Sequence, residues 1–153
     1  MKQKHVVLVV LGIFIMVMIG FIWGNSLQPA AVSNEISGFA RRTINVLFEA
    51  IGIDSLTGDS VLRKVAHASE FCLLGAAVSG VFLSMKWKSY SALILTGILV
   101  ALTDETIQLF VDGRAGLVKD VWIDTAGFLV GCAAVFFASK IRNRQRERQR
   151  MRT

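Results

Sequence analysis

Four long apolar blocks alternate with shorter polar stretches along the chain: Val6–Trp23, Val65–Met85, Ser89–Val111 and Leu117–Ser139. Each runs for 18 to 23 residues, and about 20 residues of α-helix cross a ~30 Å hydrocarbon core. Backbone polar groups in lipid must be satisfied within their own segment, which leaves the helix as the form for such blocks. The pattern predicts an all-α, polytopic membrane protein with transmembrane helices at 6–23, 65–85, 89–111 and 117–139. These four form one bundle within a membrane domain spanning 1–139. Between the first two blocks, "NEISGFARRTINVLFEAIGI" sets Ile36, Phe39, Ala40, Ile44, Leu47, Phe48 and Ile51 at helical spacing, with Arg41, Arg42, Asn45 and Glu49 opposite. This spacing predicts an external amphipathic helix, closed by Gly52, that lies in the interface or caps the bundle.

Composition agrees with a membrane domain and argues against an attached soluble enzyme domain: 54% of the 153 residues are hydrophobic and there is one proline. Lys2 and Lys4 precede the first block as they would a signal peptide. However, the block is long for such a segment, and "GFIWGNSLQP" offers no small-x-small cleavage site. A retained helix is the expectation. Cys72 and Cys132 both lie inside apolar blocks without metal-ligand spacing, and read as small packing residues.

Charge sets the expected orientation. The tail "KIRNRQRERQRMRT" (140–153) carries seven Lys/Arg and one Glu, which accounts for the whole net charge of +6. The other 139 residues hold ten basic and ten acidic groups. A basic tail after a membrane helix reads as cytoplasmic. With four crossings, Lys2, Lys4, Lys86 and Lys88 fall on the same side as the tail. Both termini are then cytoplasmic in a bacterial inner membrane, and the connections 24–64 and 112–116 are external. Arg41, Arg42, Arg63 and Lys64 oppose this assignment but share their loop with Glu35, Glu49, Asp54 and Asp59. Trp23 and Trp122 fall at the outer interface, and Trp87 and Tyr90 at the inner one, where amphipathic rings settle. The tail is expected to touch anionic lipid rather than nucleic acid.

The ionisable residues inside the blocks change the picture from a bundle to a bundle with a site. Counted from Met85, Ser89 and Ser139, the residues Glu70, Asp104 and Asp124 each lie about 15 positions up their helices, or roughly 22 Å at 1.5 Å per residue. That puts three carboxylates in one layer, roughly 8 Å beneath the outer hydrocarbon edge. Arg63, His67, Glu70 and Leu74 share one face. Asp104 and Gln108 are i, i+4, and Glu105 and Gln108 are i, i+3. Asp120, Asp124, Gly127, Gly131 and Ala134 form a stripe whose lower part, "GFLVG", permits close helix approach. Charges at such depth cost about 2.5–3.5 kcal/mol each on insertion scales and usually face the interior. Interhelical glue is the plainer explanation. A His with four or five carboxylates and several cations fits an outward-facing polar pocket better.

The stretches "RKVAHASEF", "TDETIQLFVDGRAG" and "VKDVWIDTAGFLVG" resemble the three signature segments of VanZ-like membrane proteins. The likeness covers residues 63–131 closely and the first helix with "NSLQP" more loosely. It implies a four-helix protein of the bacterial envelope, in a family whose name-giving member is associated with resistance to the glycopeptide teicoplanin. The chain departs from the family pattern in its Arg-rich tail and in having Asp124 where an amide is common. Three functional readings follow. In the first, Arg63, Lys64, Arg114 and Lys119 hold the anionic head group of a lipid-linked cell-wall intermediate or a lipoglycopeptide, with Gln108, Asp120 and Asp124 completing the binding site. In the second, His67 acts as general acid or base with Glu70, Asp104 and Glu105. No cofactor is identifiable from the sequence, though Asp and His side chains there suit a divalent cation. In the third, the acids relay protons in a transporter. No inverted repeat is evident, and four helices are few for transport; a homo-oligomer would enlarge the pathway.

Overall fold

The computed structural model describes residues 2–35, 38–39, 42 and 59–151. Among these residues the chain is all-α, with four long helices: α1 (Lys2–Ser26), α2 (Asp59–Met85), α3 (Tyr90–Gln108) and α4 (Val118–Arg150). All four are long and apolar enough to cross a membrane. A further helical segment occupies 30–35. The amphipathic helix expected around 36–51 lies almost wholly outside the described residues.

Helix boundaries depart from the apolar blocks at several points, and α1 outruns its block at both ends. α2 begins at Asp59, ahead of the block. α3 stops at Gln108, because Leu109, Phe110 and Val111 donate to the carbonyls of Thr106, Ile107 and Gln108 in tight turns. Gly113, with φ of 73°, then turns the chain. α4 runs on to Arg150. Its last turns are rich in Arg, Gln, Lys and Glu, which propagate a helix well, and no Gly or Pro interrupts them.

The α2–α3 turn shows how sequence fixes a reversal. Lys86 takes a positive φ of 58°, Trp87 N–H donates to the Phe82 carbonyl (2.9 Å) and Lys86 N–H to that of Leu83 (3.1 Å). This is a Schellman-type ending, and its usual hydrophobic clasp is present as Phe82 stacked on Trp87 at 4.8 Å. Ser89 then caps α3 by accepting from Ala92 N–H.

The core lies between α2, α3 and α4. Phe71 and Leu74 of α2, Ala101 of α3 and Phe128 of α4 are essentially inaccessible. The closest pair is α2 with α4, and glycines permit it. A Cβ on Gly127 would overlap the Ala68 carbonyl oxygen, one on Gly131 the Cys72 carbonyl oxygen, and one on Gly75 the Phe128 carbonyl oxygen. Backbones meet there with no side chain between them. α1 contributes a narrower stripe, Met18, Ile22 and Ser26, while Val6, Val10, Ile13, Val17 and Phe21 face outward. Four hydroxyls on the spans bond back to carbonyls four residues earlier, Ser79 to Gly75, Thr96 to Ala92, Thr103 to Leu99 and Thr106 to Leu102, so these bring no unpaired donor into lipid.

Candidate functional site

One buried stripe of α3 runs from Leu93 through Gly97, Val100 and Ala101 to Asp104, Glu105 and Gln108. The apolar core therefore turns polar within its last two turns without changing face. α4 does the same in the opposite chain direction, with buried Asp124 and Thr125 preceding Phe128, Gly131 and Cys132. α2 brings Glu70 and His67 one and two turns above Leu74. The core's own packing thus carries these polar groups to a common end of the bundle.

At that end His67 Nδ1 lies 3.9 Å from Asp104 Oδ2, and His67, Asp104 and Asp124 each present a ligand atom within 4.8 Å of the other two. Gln108 Nε2 donates to Asp104 Oδ2 (3.1 Å), Glu105 Oε1 (3.1 Å) and Ser26 Oγ (3.4 Å). Two protons serve three acceptors, so one is shared, and the amide ties α3 to the end of α1. Glu70 turns the same way, with Oε1 accepting from Asn25 Nδ2 at 3.3 Å.

Glu105 has a second task. The N-cap residue of α4 is Leu117, whose side chain caps nothing. In a capping box the acid at the third helical position reaches back to the cap N–H. That position holds Asp120, but its carboxylate instead lies 3.4 Å from Lys64 Nζ, at ion-pair distance without hydrogen-bond alignment. Glu105 takes over from the neighbouring helix: its Oε2 accepts from Leu117 N–H at 2.7 Å. This also places a carboxylate at the positive end of α4.

A cavity of about 330 Å³ opens beside these groups. Arg63, Lys64, Arg114 and Lys119 line it, as do His67, Glu105, Gln108, Asp120 and Asp124. Arg63 Nη1 donates to Asn34 Oδ1 (3.1 Å). Arg114 Nε donates to the Gln28 carbonyl (2.9 Å) and Nη2 to the Asn25 carbonyl (3.0 Å). It thereby sets a cation at the negative end of α1. Burial and the nearby Arg63 draw the Arg114 guanidinium below the usual arginine range, opposed by Asp104 and Glu105; it stays cationic throughout the physiological range.

Ten of the eleven residues singled out from the sequence therefore surround one cavity or, as Asp104 does, stand directly behind it. Glu70 is the partial exception, since its hydrogen bond leads to α1. Sequence reasoning missed what α1 and the turn after it supply: the Asn25 and Ser26 side chains and the Asn25 and Gln28 carbonyls. The only signal for the side chains was a pair of polar residues closing an otherwise apolar block. Carbonyl availability leaves no mark in a sequence.

Neither curated proteins nor solved structures give a significant match to the chain. The VanZ/LLP1 family matches residues 11–139, a span that takes in most of α1, all of α2 and α3, and α4 through Ser139. With four membrane-length helices and a match across that span, the chain is a helical membrane protein belonging to the VanZ/LLP1 family.

Proposed function

We propose that the cavity receives the anionic head group of a lipid-linked or lipid-like amphiphile. The observation that carries this is the wall of Arg63, Lys64, Arg114 and Lys119 around a space of about 330 Å³. That volume suits a head group and not a whole lipid, and Arg and Lys together supply forked and point-charge donors for phosphate or carboxylate. Acyl chains would then run along the outward apolar faces below, such as Leu95, Leu99 and Leu102 of α3. A lipoglycopeptide such as teicoplanin belongs to this chemical class because it bears an acyl chain, and the family association supports including it.

The same reading sets the protein in the bacterial inner membrane with both termini cytoplasmic and the cavity facing outward. A single cysteine introduced at Asp112 in a Cys72→Ser/Cys132→Ser background is expected to react with an impermeant maleimide on intact cells, and one at Lys88 is not. Labelling confined to position 88 reverses the orientation.

Protein extracted in native nanodiscs tests the ligand by mass spectrometry of the co-purified lipid. An anionic amphiphile is expected to be enriched over the bulk membrane. Its enrichment falls about tenfold in Lys119→Ala and again in Lys64→Ala, as loss of one charge-assisted contact each implies. Bulk phospholipid alone, in the same proportions for both variants, rules the reading out.

A further inference from the structure

Two features of the polar layer are not explained by head-group binding. The first is the spacing of His67, Asp104 and Asp124, which come from three helices with one ligand atom each inside a 4.8 Å triangle. The 3.9 Å from His67 Nδ1 to Asp104 Oδ2 is too long for a hydrogen bond. It is close to what two bonds of about 2.1 Å to one ion would bridge. Tetrahedral ligands lie roughly 3.4 Å apart around such an ion, so modest side-chain rotation closes the triangle.

The second feature is Asp104 itself. It is wholly buried, and its Oδ1 has no hydrogen-bond partner. A bare carboxylate oxygen in that position is costly. Oδ2, the oxygen that faces His67, also accepts from Gln108, so an outer partner orients the carboxylate toward His67 while Oδ1 adds a second, unpartnered donor, an arrangement common for carboxylates that bind metals. Among the described residues no Lys or Arg lies within ion-pair distance of Asp104 or Asp124. The nearby cations have other work: Lys64 meets Asp120, Arg63 meets Asn34, and Arg114 holds the carbonyls of α1.

We infer that His67, Asp104 and Asp124 form a divalent-metal site with one imidazole nitrogen and two carboxylate oxygens. This mixed donor set fits Zn²⁺ or Mn²⁺: imidazole suits zinc, and carboxylates suit manganese. Ca²⁺ needs six or more oxygens, and Mg²⁺ prefers a mostly hydrated oxygen shell. A dication here would also cancel the mutual repulsion of two buried carboxylates. His67 and Asp124 line the cavity, which gives the ion a route in and open coordination positions. The site stands whether or not the cavity takes an amphiphile. That an anionic head-group oxygen fills one open position is a further step, and it rests on the proposed function.

Full-length protein in detergent, stripped with a chelator, is titrated with Zn²⁺ and with Mn²⁺ by calorimetry, and retained metal is counted by mass spectrometry after gel filtration. The wild type is expected to retain about one equivalent of one of the two ions. Asp104→Asn and His67→Ala weaken binding about a hundredfold or more. Asp124→Asn, which keeps an amide oxygen in place, weakens it about tenfold. Asp112→Asn, an exposed loop substitution, binds as the wild type does. Circular dichroism and elution volume identify the folded variants. If Asp104→Asn fails to fold, the near-isosteric Asp124→Asn and His67→Gln decide. Retention below about a tenth of an equivalent for both ions, or wild-type affinity in folded Asp124→Asn and His67 variants, overturns the site. No lipid enters this titration, so its failure is separate from failure of the head-group reading.

Discussion

Valine in place of Gly131 is expected to separate α2 from α4 and to remove the cooperative thermal transition of the bundle. The Cβ would overlap a backbone carbonyl, that of Cys72, and a main-chain atom in mid-helix cannot rotate aside as a side chain can. Relief requires the helices to move apart along a contact that also holds Gly127 against Ala68 and Gly75 against Phe128. Dispersion falls off steeply with such a gap, and lipid offers no hydrophobic force to pull the pair together again. The expected loss is roughly 3 kcal/mol or more, at the upper end for overpacked sites. Unfolding in detergent, followed by helical circular dichroism, measures it. Gly131→Ala should shift the same way by less. A Gly131→Val protein that melts with the wild type would show that the backbones do not meet there. Because His67 rides on α2 and Asp124 on α4, the variant should also lose the metal.

Glu105→Ala is expected to cost about 3 kcal/mol, more than an ordinary charge deletion inside a bundle. The carboxylate makes two charge-assisted hydrogen bonds, to Leu117 N–H and Gln108 Nε2. Such bonds contribute about 1.5–3 kcal/mol each and do not add fully. Removal leaves the start of α4 with no side-chain cap, since Leu117 has none of its own and Asp120 is engaged with Lys64. Glu105→Gln keeps an acceptor for Leu117 but loses the favourable charge at the helix start, and should cost about 1 kcal/mol. Denaturant unfolding of the two variants separates the contributions. Equal losses would assign the effect to charge alone and leave the cap without a role. Gly116 belongs to the same arrangement: a Cβ there would overlap the Glu105 carbonyl oxygen, so the loop can lie against the end of α3 only while that residue is glycine.

The four spans and most of the polar site are legible in the sequence because both depend on periodicity. Asp104, Glu105 and Gln108 sit at i, i+1 and i+4 on α3 and necessarily share the face that buries Val100 and Ala101. The stripe through Asp124 and Gly131 is readable in the same way. What periodicity does not encode is partner choice. Asp120 occupies the position expected to cap its own helix, yet it pairs with Lys64, and Glu105 replaces it from another helix. That exchange follows from the α2–α4 distance, which only the packed bundle fixes. Arg114 is similar. The sequence places it at a cavity mouth, and it does line the cavity, but two of its nitrogens bind carbonyls at the end of α1. The length of α4 was hidden for another reason. Residues 140–150 have no apolar repeat to announce a helix, and they extend one by propensity alone.

The attachment of α1 carries a consequence of its own. A narrow stripe seats the helix, and its C-terminal end is fastened by Asn25 to Glu70, Ser26 to Gln108 and two carbonyls to Arg114. Gln108 and Arg114 also line the cavity. They cannot serve a new anion fully and keep every bond to α1, so occupancy of the cavity and docking of α1 are thermodynamically linked. Whatever recruits Arg114 weakens the seat of α1, and whatever strengthens that seat weakens binding by the same free energy. In the bundle's hierarchy of stability, α1 is the stave that leaves first, and the cavity sets how readily it does.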